Sequence, residues 1–260
     1  MFMKFQEIDG VKIAFRVNEG GLVGGRKTLF FVHGSAGDHT AWEGQYAGME
    51  DEFNMVAVDL PGHGQSGGRG EREIAFYAKW VKKMVEALGL RRPVLAGHSL
   101  GAAIVLELAI RYGDMLSGIV TVGGGAKMPV NPLVLDGMQG DPSMIINSIP
   151  EFALSKKNRE RLGALMVDNL RRADKDVACG DFLACDRLDI SGEIEGIRVP
   201  ALLICGEDDR MMPPKFSIYL KEKIPGAELV LIKDAGHFAM LEDAKAVNVA
   251  LRAFVGSLEG

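Results

Sequence analysis

Val94-Leu95-Ala96-Gly97-His98-Ser99-Leu100-Gly101-Ala102-Ala103-Ile104-Val105 is the stretch that decides the fold. Its start, with Pro93 before it, is a short apolar run of the kind found in a buried strand. From Ala102 to Ala109 the composition is that of a helix. A G-x-S-x-G pentapeptide between strand and helix puts the serine on a sharp turn, with its hydroxyl above the sheet. Such a turn forces the serine towards positive φ and brings the two backbones so close that a Cβ at Gly97 or Gly101 would collide.

Outward from this turn, continuous apolar runs recur at Thr28 to Val32, Met55 to Val58, Ile119 to Val122, Ala201 to Cys205 and Leu229 to Ile232. Strands covered on both faces have this composition, so the runs predict a parallel sheet flanked by helices. Val11 to Val17 alternates instead, which predicts a half-exposed antiparallel strand paired with Met3 to Ile8. Ala75, Ala78, Val81, Val85 and Leu88 repeat at helical spacing up to Gly89, and a last helix is expected over Ala244 to Leu258. Strand and helix alternate almost throughout, as in an α/β domain.

The alternation breaks once, from about Gly125 to Arg198. Asn158 to Arg172 and Asp174 to Arg187 have helical character, and Leu162, Leu165, Met166 and Leu170 form an apolar stripe. The expected organisation is a core of residues 1–125 and 197–260 with a helical cap of 126–196 over the C-terminal edge of the sheet, where open α/β sheets bind ligands. Met128, Met138, Met144 and Met166 fall in it, and their adaptable thioethers suit either a pocket wall or ordinary packing.

Length, charge and composition exclude several function classes. The chain has 260 residues, 47% of them hydrophobic, and a net charge of −5. Its basic pairs, such as Lys82-Lys83 and Arg171-Arg172, read as solvated helix faces, so no nucleic-acid partner is expected. Gly67-Gly68-Arg69-Gly70 does not join a strand to a helix and reads as a solvent loop rather than a phosphate cradle. Cys179, Cys185 and Cys205 form neither a disulfide framework nor a C-x-x-C site, and the N-terminus turns polar too soon for a signal peptide. No apolar stretch approaches the roughly 18 residues of a membrane span. The expectation is a cytoplasmic protein, monomer or homodimer, with no membrane partner, no metal and no cofactor.

A serine hydroxyl becomes a nucleophile when a base takes its proton, and a histidine oriented by a carboxylate suits the task. Five histidines compete. His98 lies within the serine turn with its side chain directed away; His33 and His63 belong to tight turns at strand ends; His39 is placed at a pocket mouth. His237 follows a strand and the turn Asp234-Ala235-Gly236, and precedes the last helix, so it can reach over Ser99. Gly206-Glu207-Asp208-Asp209 follows another strand and offers Asp208 and Asp209 as the carboxylate. The chain order Ser, Asp, His is that of hydrolases with a strand-turn-helix serine. An oxyanion site needs two preorganised N–H donors. The Leu100 amide is the first candidate, and Ser35 the second, ahead of Ala36, from the loop His33-Gly34-Ser35-Ala36-Gly37.

Together these motifs resemble the α/β-hydrolase fold family over nearly the whole chain. His33-Gly34 is similar to the family's oxyanion loop, and Asp59-Leu60-Pro61-Gly62-His63-Gly64-Gln65-Ser66 to its D-x-x-G-x-G-x-S stretch. Gly97 to Gly101 resembles the nucleophile turn, Gly206 to Pro213 the G-x-x-D-x-x-x-P acid loop, and Gly236-His237 the base. The resemblance implies an eight-stranded, mostly parallel sheet, a lid between strands six and seven, and Asp209 as the acid. It also implies a serine hydrolase cleaving a small, fairly apolar ester, a carboxylesterase. The alternative uses the same Ser99, Asp209 and His237 on a lactone or a C–C bond, with Arg187 or Lys127 holding a substrate carboxylate. Ala102 after Gly101, where C–C hydrolases have a further glycine, weighs against that bond. A minor alternative is a small-molecule receptor that retains the triad.

Overall fold

The computed structural model describes residues 2–258. The apolar runs form one eight-stranded sheet: β1 (Phe2–Ile8), β2 (Val11–Val17), β3 (Thr28–Val32), β4 (Asn54–Val58), β5 (Val94–His98), β6 (Gly118–Val122), β7 (Ala201–Gly206) and β8 (Glu228–Ile232). Their spatial order is β1-β2-β4-β3-β5-β6-β7-β8, with β3 to β8 parallel and the β1–β2 hairpin antiparallel at one edge. The hairpin register pairs Ile8 with Val11 and Met3 with Arg16.

Continuous apolar strands arise because both faces are covered. Phe30, Val32, Val56, Val58, Leu95, Ile119 and Leu203 point to one core, where α2 (Ile74–Ala87) and α3 (Leu100–Tyr112) pack. The alternate residues Leu29, Phe31, Met55, Ala57, Val94, Ala96, Val120 and Leu202 point to the other. That face is covered by α1 (Glu43–Met49) and, after the four-residue α9 (Ala239–Glu242), α10 (Ala244–Ser257). Each Val, Leu, Ile, Phe or Met among these side chains, taken fully from water, contributes about 1.5–3 kcal/mol, so the period-2 pattern fixes which face each strand residue takes.

Between β6 and β7 the chain runs through α4 (Pro132–Gln139), α5 (Ser143–Ala153), α6 (Arg159–Arg172) and α7 (Lys175–Asp186); α8 (Pro214–Lys223) follows β7. α6 and α7 fall where the sequence places them. α4 and α5 go unread in the sequence, although Asn131 caps α4 through the Leu133 amide at 2.9 Å and Pro132 stands at its first turn. α5 carries Pro150 inside it, which breaks the sequence signal without ending the helix. Ile149, Ala153, Leu162 and Met166 pack α5 on α6. The Gly67–Gly70 loop is exposed but pinned, with Gly67 N donating to Lys12 O at 2.8 Å. Among the described residues no helix is long and apolar enough to cross a membrane.

The turn after β5 has the expected geometry. Ser99 sits at φ 52°, ψ −113° directly before α3. A Cβ on Gly97 would lie 2.1 Å from Gly101 O, and one on Gly101 2.3 Å from Val32 O. All of these obstacles are backbone and cannot rotate away. Gly97→Ala and Gly101→Ala are therefore expected to destabilise by at least about 3 kcal/mol, against less than about 0.5 for Gly196→Ala. Gly196 is the control because its Cβ would meet nothing within 4 Å. Urea unfolding midpoints measure the difference, and equal midpoints for Gly97→Ala and Gly196→Ala would contradict the steric account.

Candidate active site

Three loops at the C-terminal edge of the sheet bring their side chains to one place. The first is the Ser99 turn, whose amide donates to Val122 O of β6 at 2.9 Å. The second follows β7. Its Asp209 is buried, and Oδ1 accepts the amides of Met211 and Met212 at 2.9 and 2.8 Å. The third follows β8 and carries His237. The acid and base loops touch through backbone: a Cβ on Gly206 would lie 2.2 Å from Gly236 O, and Asp208 N donates to Ala235 O at 2.9 Å.

His237 Nδ1 lies 2.8 Å from Asp209 Oδ2, with both side chains buried. A carboxylate only accepts, so Nδ1 carries the proton and donates, and Nε2 keeps its lone pair. Asp208 makes no such contact and its side chain is exposed. Ser99, His237 and Ser35 line one cavity of about 330 Å³. No hydrogen bond joins Ser99 Oγ to His237 among the described residues; such contacts often tighten only when substrate binds.

The loop after β3 forms a turn in which Gly37 N donates to Gly34 O at 3.1 Å. The Ala36 amide is engaged, donating to Asp181 Oδ2 at 2.9 Å. The Ser35 amide has no partner among the described residues, and neither has the Leu100 amide at the start of α3. Both are free for a ligand oxygen, and the helix end adds partial positive charge.

The other histidines have structural partners. His98 Nε2 donates to His237 O at 3.0 Å, its ring lies against that of His237 in a tilted contact with centroids 4.8 Å apart, and burial holds its pKa well below the ordinary value. His33 accepts the Leu60 amide on Nε2 at 3.0 Å and donates from Nδ1 to Gly34 O at 2.8 Å. Burial, and secondarily neighbouring His63, bring its pKa to about 4. His39 is not at a pocket mouth: it is buried, with Nδ1 donating to Asp59 Oδ1 at 2.8 Å, because the Asp59 carboxylate also takes the His39 and Gln65 amides.

Two cations expected near a ligand are elsewhere. Arg187 pairs with Glu73 at 3.3 Å and Lys127 with Asp189 at 3.0 Å, and neither lines the cavity. Arg210 does line it. Most of the wall is apolar, including Met128, Ile145, Ile149, Phe152, Phe182, Met211 and Met212. Of the four methionines noted in the sequence, Met128 reaches the cavity, Met138 and Met166 pack between insertion helices, and Met144 is 82% exposed. Cys185 is also in the wall, its thiol pushed up to about 12 by burial and by Asp181.

Sequence reasoning missed Glu242. Its buried carboxylate accepts the Gly236 amide at 2.8 Å and the Ser155 amide at 2.9 Å, and His237 N donates to Ala153 O at 2.7 Å. The base loop is thereby tied to the end of α5. A carboxylate five residues after the histidine, inside an apolar helix turn, was the available signal.

A family model described as the Alpha/beta hydrolase family matches residues 29–250. The 2-hydroxy-6-oxononadienedioate/2-hydroxy-6-oxononatrienedioate hydrolase of Paraburkholderia phymatum is 27% identical, over 95% of this chain and 92% of its own. Among solved structures, a thermophilic esterase is similar at 30% identity with a TM-score of 0.85, covering 98% of this chain and 97% of its own. The enol-lactonase from Burkholderia xenovorans LB400 has the same fold, with a TM-score of 0.90 at 23% identity, covering 98% of this chain and 100% of its own.

The buried histidines give stability a pH optimum. His33 stays neutral down to about 4 when folded, whereas the unfolded side chain takes its proton near 6.5, so stability falls as pH drops through that window. The span is about 3 kcal/mol at the ordinary exchange rate of 1.4 kcal/mol per pH unit. His63 runs the other way. Burial lowers its pKa, but Asp181, the Pro61 carbonyl and Asp59 together outweigh burial and the net shift is upward, so its contribution is present below 6.5 and lost as pH rises through the folded value. Thermal unfolding followed by circular dichroism from pH 4.5 to 8 is expected to show a maximum near neutrality and a shallower acid limb for His33→Gln. An acid limb unchanged by that substitution would assign it to other groups.

Proposed function

The chain belongs to the alpha/beta hydrolase family, and from that premise we propose a serine hydrolase that cleaves small, fairly apolar carboxylic esters through an acyl-enzyme. One observation carries the proposal: Ser99, the Asp209-oriented His237 and the two free amides of Ser35 and Leu100 all meet at one mostly apolar cavity. In this mechanism Ser99 Oγ attacks the acyl carbon while His237 Nε2 takes the hydroxyl proton. Asp209 holds the imidazole in the Nδ1–H tautomer and stabilises the imidazolium that forms. The Ser35 and Leu100 amides hold the oxyanion; His237 then gives its proton to the leaving alkoxide, which departs as the alcohol. Water, activated by the same imidazole, attacks the acyl carbon and releases the acid. Residues 126–196 act as the cap, and their apolar side chains bind the acyl and alcohol groups. A cavity of about 330 Å³ sets a limit on their size.

A second reading keeps the triad but cleaves a lactone or a C–C bond in a substrate that carries a carboxylate. Arg210 favours it, as the one Lys or Arg side chain in the wall. The relative from Paraburkholderia phymatum, named for a dienedioate substrate, supports the same direction.

With p-nitrophenyl butyrate, Ser99→Ala and His237→Ala are expected to lower kcat on the order of 10⁴-fold or more, and Asp209→Asn by a comparable factor. Wild-type rates in Ser99→Ala would overturn the proposal. Between the two readings, Arg210→Gln separates the substrates. If the ester reading holds, kcat/KM for the neutral ester stays within about 2-fold; if the second holds, carboxylated lactones are preferred and lose at least about 10-fold, a typical charged-contact loss.

A further inference from the structure

Asp181 lies on α7, far from Ser99 in sequence, and its carboxylate is fully buried. A carboxylate removed from water costs several kcal/mol unless donors and positive charge surround it. Three donors do. Tyr77 Oη donates to Oδ1 at 2.5 Å, while His63 Nε2 and Ala36 N donate to Oδ2 at 2.8 and 2.9 Å. His63 Nδ1 also faces an acceptor, Pro61 O at 3.0 Å, so the ring is satisfied at both nitrogens as an imidazolium. One side chain from the insertion thus joins α2, the loop after β4 and the loop after β3.

The contact with Ala36 has a consequence for chemistry. Ala36 sits inside the turn closed by Gly37 N and Gly34 O, at φ +54°. Left-handed backbone is unfavourable for a non-glycine residue, so the turn needs something to hold it. A peptide unit is planar, so holding the Ala36 N–H orients the Ser35–Ala36 plane and restrains Ser35 ψ, while the Gly37 N–Gly34 O bond orients the neighbouring plane that carries the Ser35 N–H. One turn further along α7, Cys185 Sγ lies 4.0 Å from Ser35 Oγ. Ala178 and Phe182 of the same helix pack with Ala36. α7 therefore grips two successive residues of the turn that presents the Ser35 amide.

We propose that Asp181 is a positioning residue for the oxyanion site, holding the Ser35 amide in place by gripping the Ala36 N–H from the insertion. The inference rests on the proposed role of Ser35 in the hydrolase mechanism. Asp181 touches no reacting atom. Its effect is expected on kcat, because the oxyanion exists in the transition state and not in the bound ester.

The test compares Asp181→Leu, Asp181→Asn and Tyr77→Phe. Leucine removes the acceptor for Ala36. Asparagine keeps a weaker, neutral acceptor. Tyr77→Phe takes a donor from the same carboxylate and leaves the Ala36 contact intact. With p-nitrophenyl butyrate, kcat is expected to fall about 10- to 100-fold in Asp181→Leu and by less in Asp181→Asn, with KM within about 2-fold in both. Tyr77→Phe is expected to lower Tm while keeping kcat within about 2-fold. Amide exchange by NMR gives a readout independent of turnover: Ala36 exchanges faster in both Asp181 variants and not in Tyr77→Phe. If Asp181→Leu does not fold, Asp181→Asn and Tyr77→Phe decide alone. Wild-type kcat in Asp181→Asn, or equal kcat losses in Asp181→Asn and Tyr77→Phe at equal Tm loss, would overturn the inference. Ser99→Ala separates the two levels: if it hydrolyses the ester at the wild-type rate, the mechanism itself fails, whereas an inactive Ser99→Ala beside unaffected Asp181 variants removes only the inference.

Discussion

Backbone-on-backbone contact at the C-terminal edge of the sheet is the constraint from which the site follows. β5 and α3 meet so closely at Gly97 and Gly101 that only hydrogen fits between them, and the acid and base loops meet in the same way at Gly206 and Gly236. These contacts leave little freedom in the loops that hold Ser99, Asp209 and His237. Side chains can then be placed to within hydrogen-bond tolerance by the fold itself, before any ligand arrives. The price is local strain, seen at Ser99 with φ 52° and at Asp234 with φ 55°. Strain of about 1–3 kcal/mol per residue persists only when the surroundings over-determine the conformation, and here apolar packing on both faces of the sheet does so.

The same edge holds several buried titratable groups, and hydrogen-bond accounting separates their tasks. His33 is committed at both nitrogens to backbone, and His63 to Pro61 and Asp181. His39 serves Asp59, and His98 supports the His237 carbonyl. His237 alone among the histidines lines the cavity with Ser99, and its other nitrogen is anchored by Asp209. Burial drives imidazoles towards the neutral form and a partner carboxylate drives them back. Histidines close in space are thus pushed in opposite directions: His98 and His33 towards the neutral form, His63 towards the charged one.

Much of this was legible in the sequence because it depends on residue types at fixed spacing. Parallel strands buried on both faces must be continuous apolar runs, so the sheet was visible to within a residue or two. The glycines around Ser99 were visible because the steric demand admits nothing else. The insertion was only half legible. α6 and α7 carry regular apolar stripes, whereas α4 is short and α5 contains Pro150, which reads as a break although the helix continues through it. His39 was misplaced because its partner, Asp59, comes from the far end of β4, a contact no local pattern encodes. Asp181 stayed invisible for the same reason, looking like an ordinary helix carboxylate until tertiary structure buries it, whereas Glu242 went unread although its place in the apolar turn after His237 offered a signal.

Those two carboxylates change how the insertion relates to the core. Glu242 ties the base loop to the end of α5, and Asp181 ties α7 to the turn bearing Ser35. A layer joined to the core only by apolar contact could slide or lift at modest cost, since apolar packing is non-directional. Buried carboxylates are directional and costly to leave unpaired, so any lifting at α5 or α7 must first break several charge-assisted hydrogen bonds. α4 is held differently: Val130 N, just before it, donates to Asp186 Oδ1 at 3.0 Å, and Lys175 of α7 donates to Gly140 O at its end, both at exposed positions. It packs on α7 through apolar side chains around Met138 and exposes Leu133, while Asn131 and Val134 at its start line the cavity. The loop of His237 and the turn of Ser35 are thus tied to the insertion by buried carboxylates, whereas α4, which borders the cavity, is held by exposed hydrogen bonds and apolar packing.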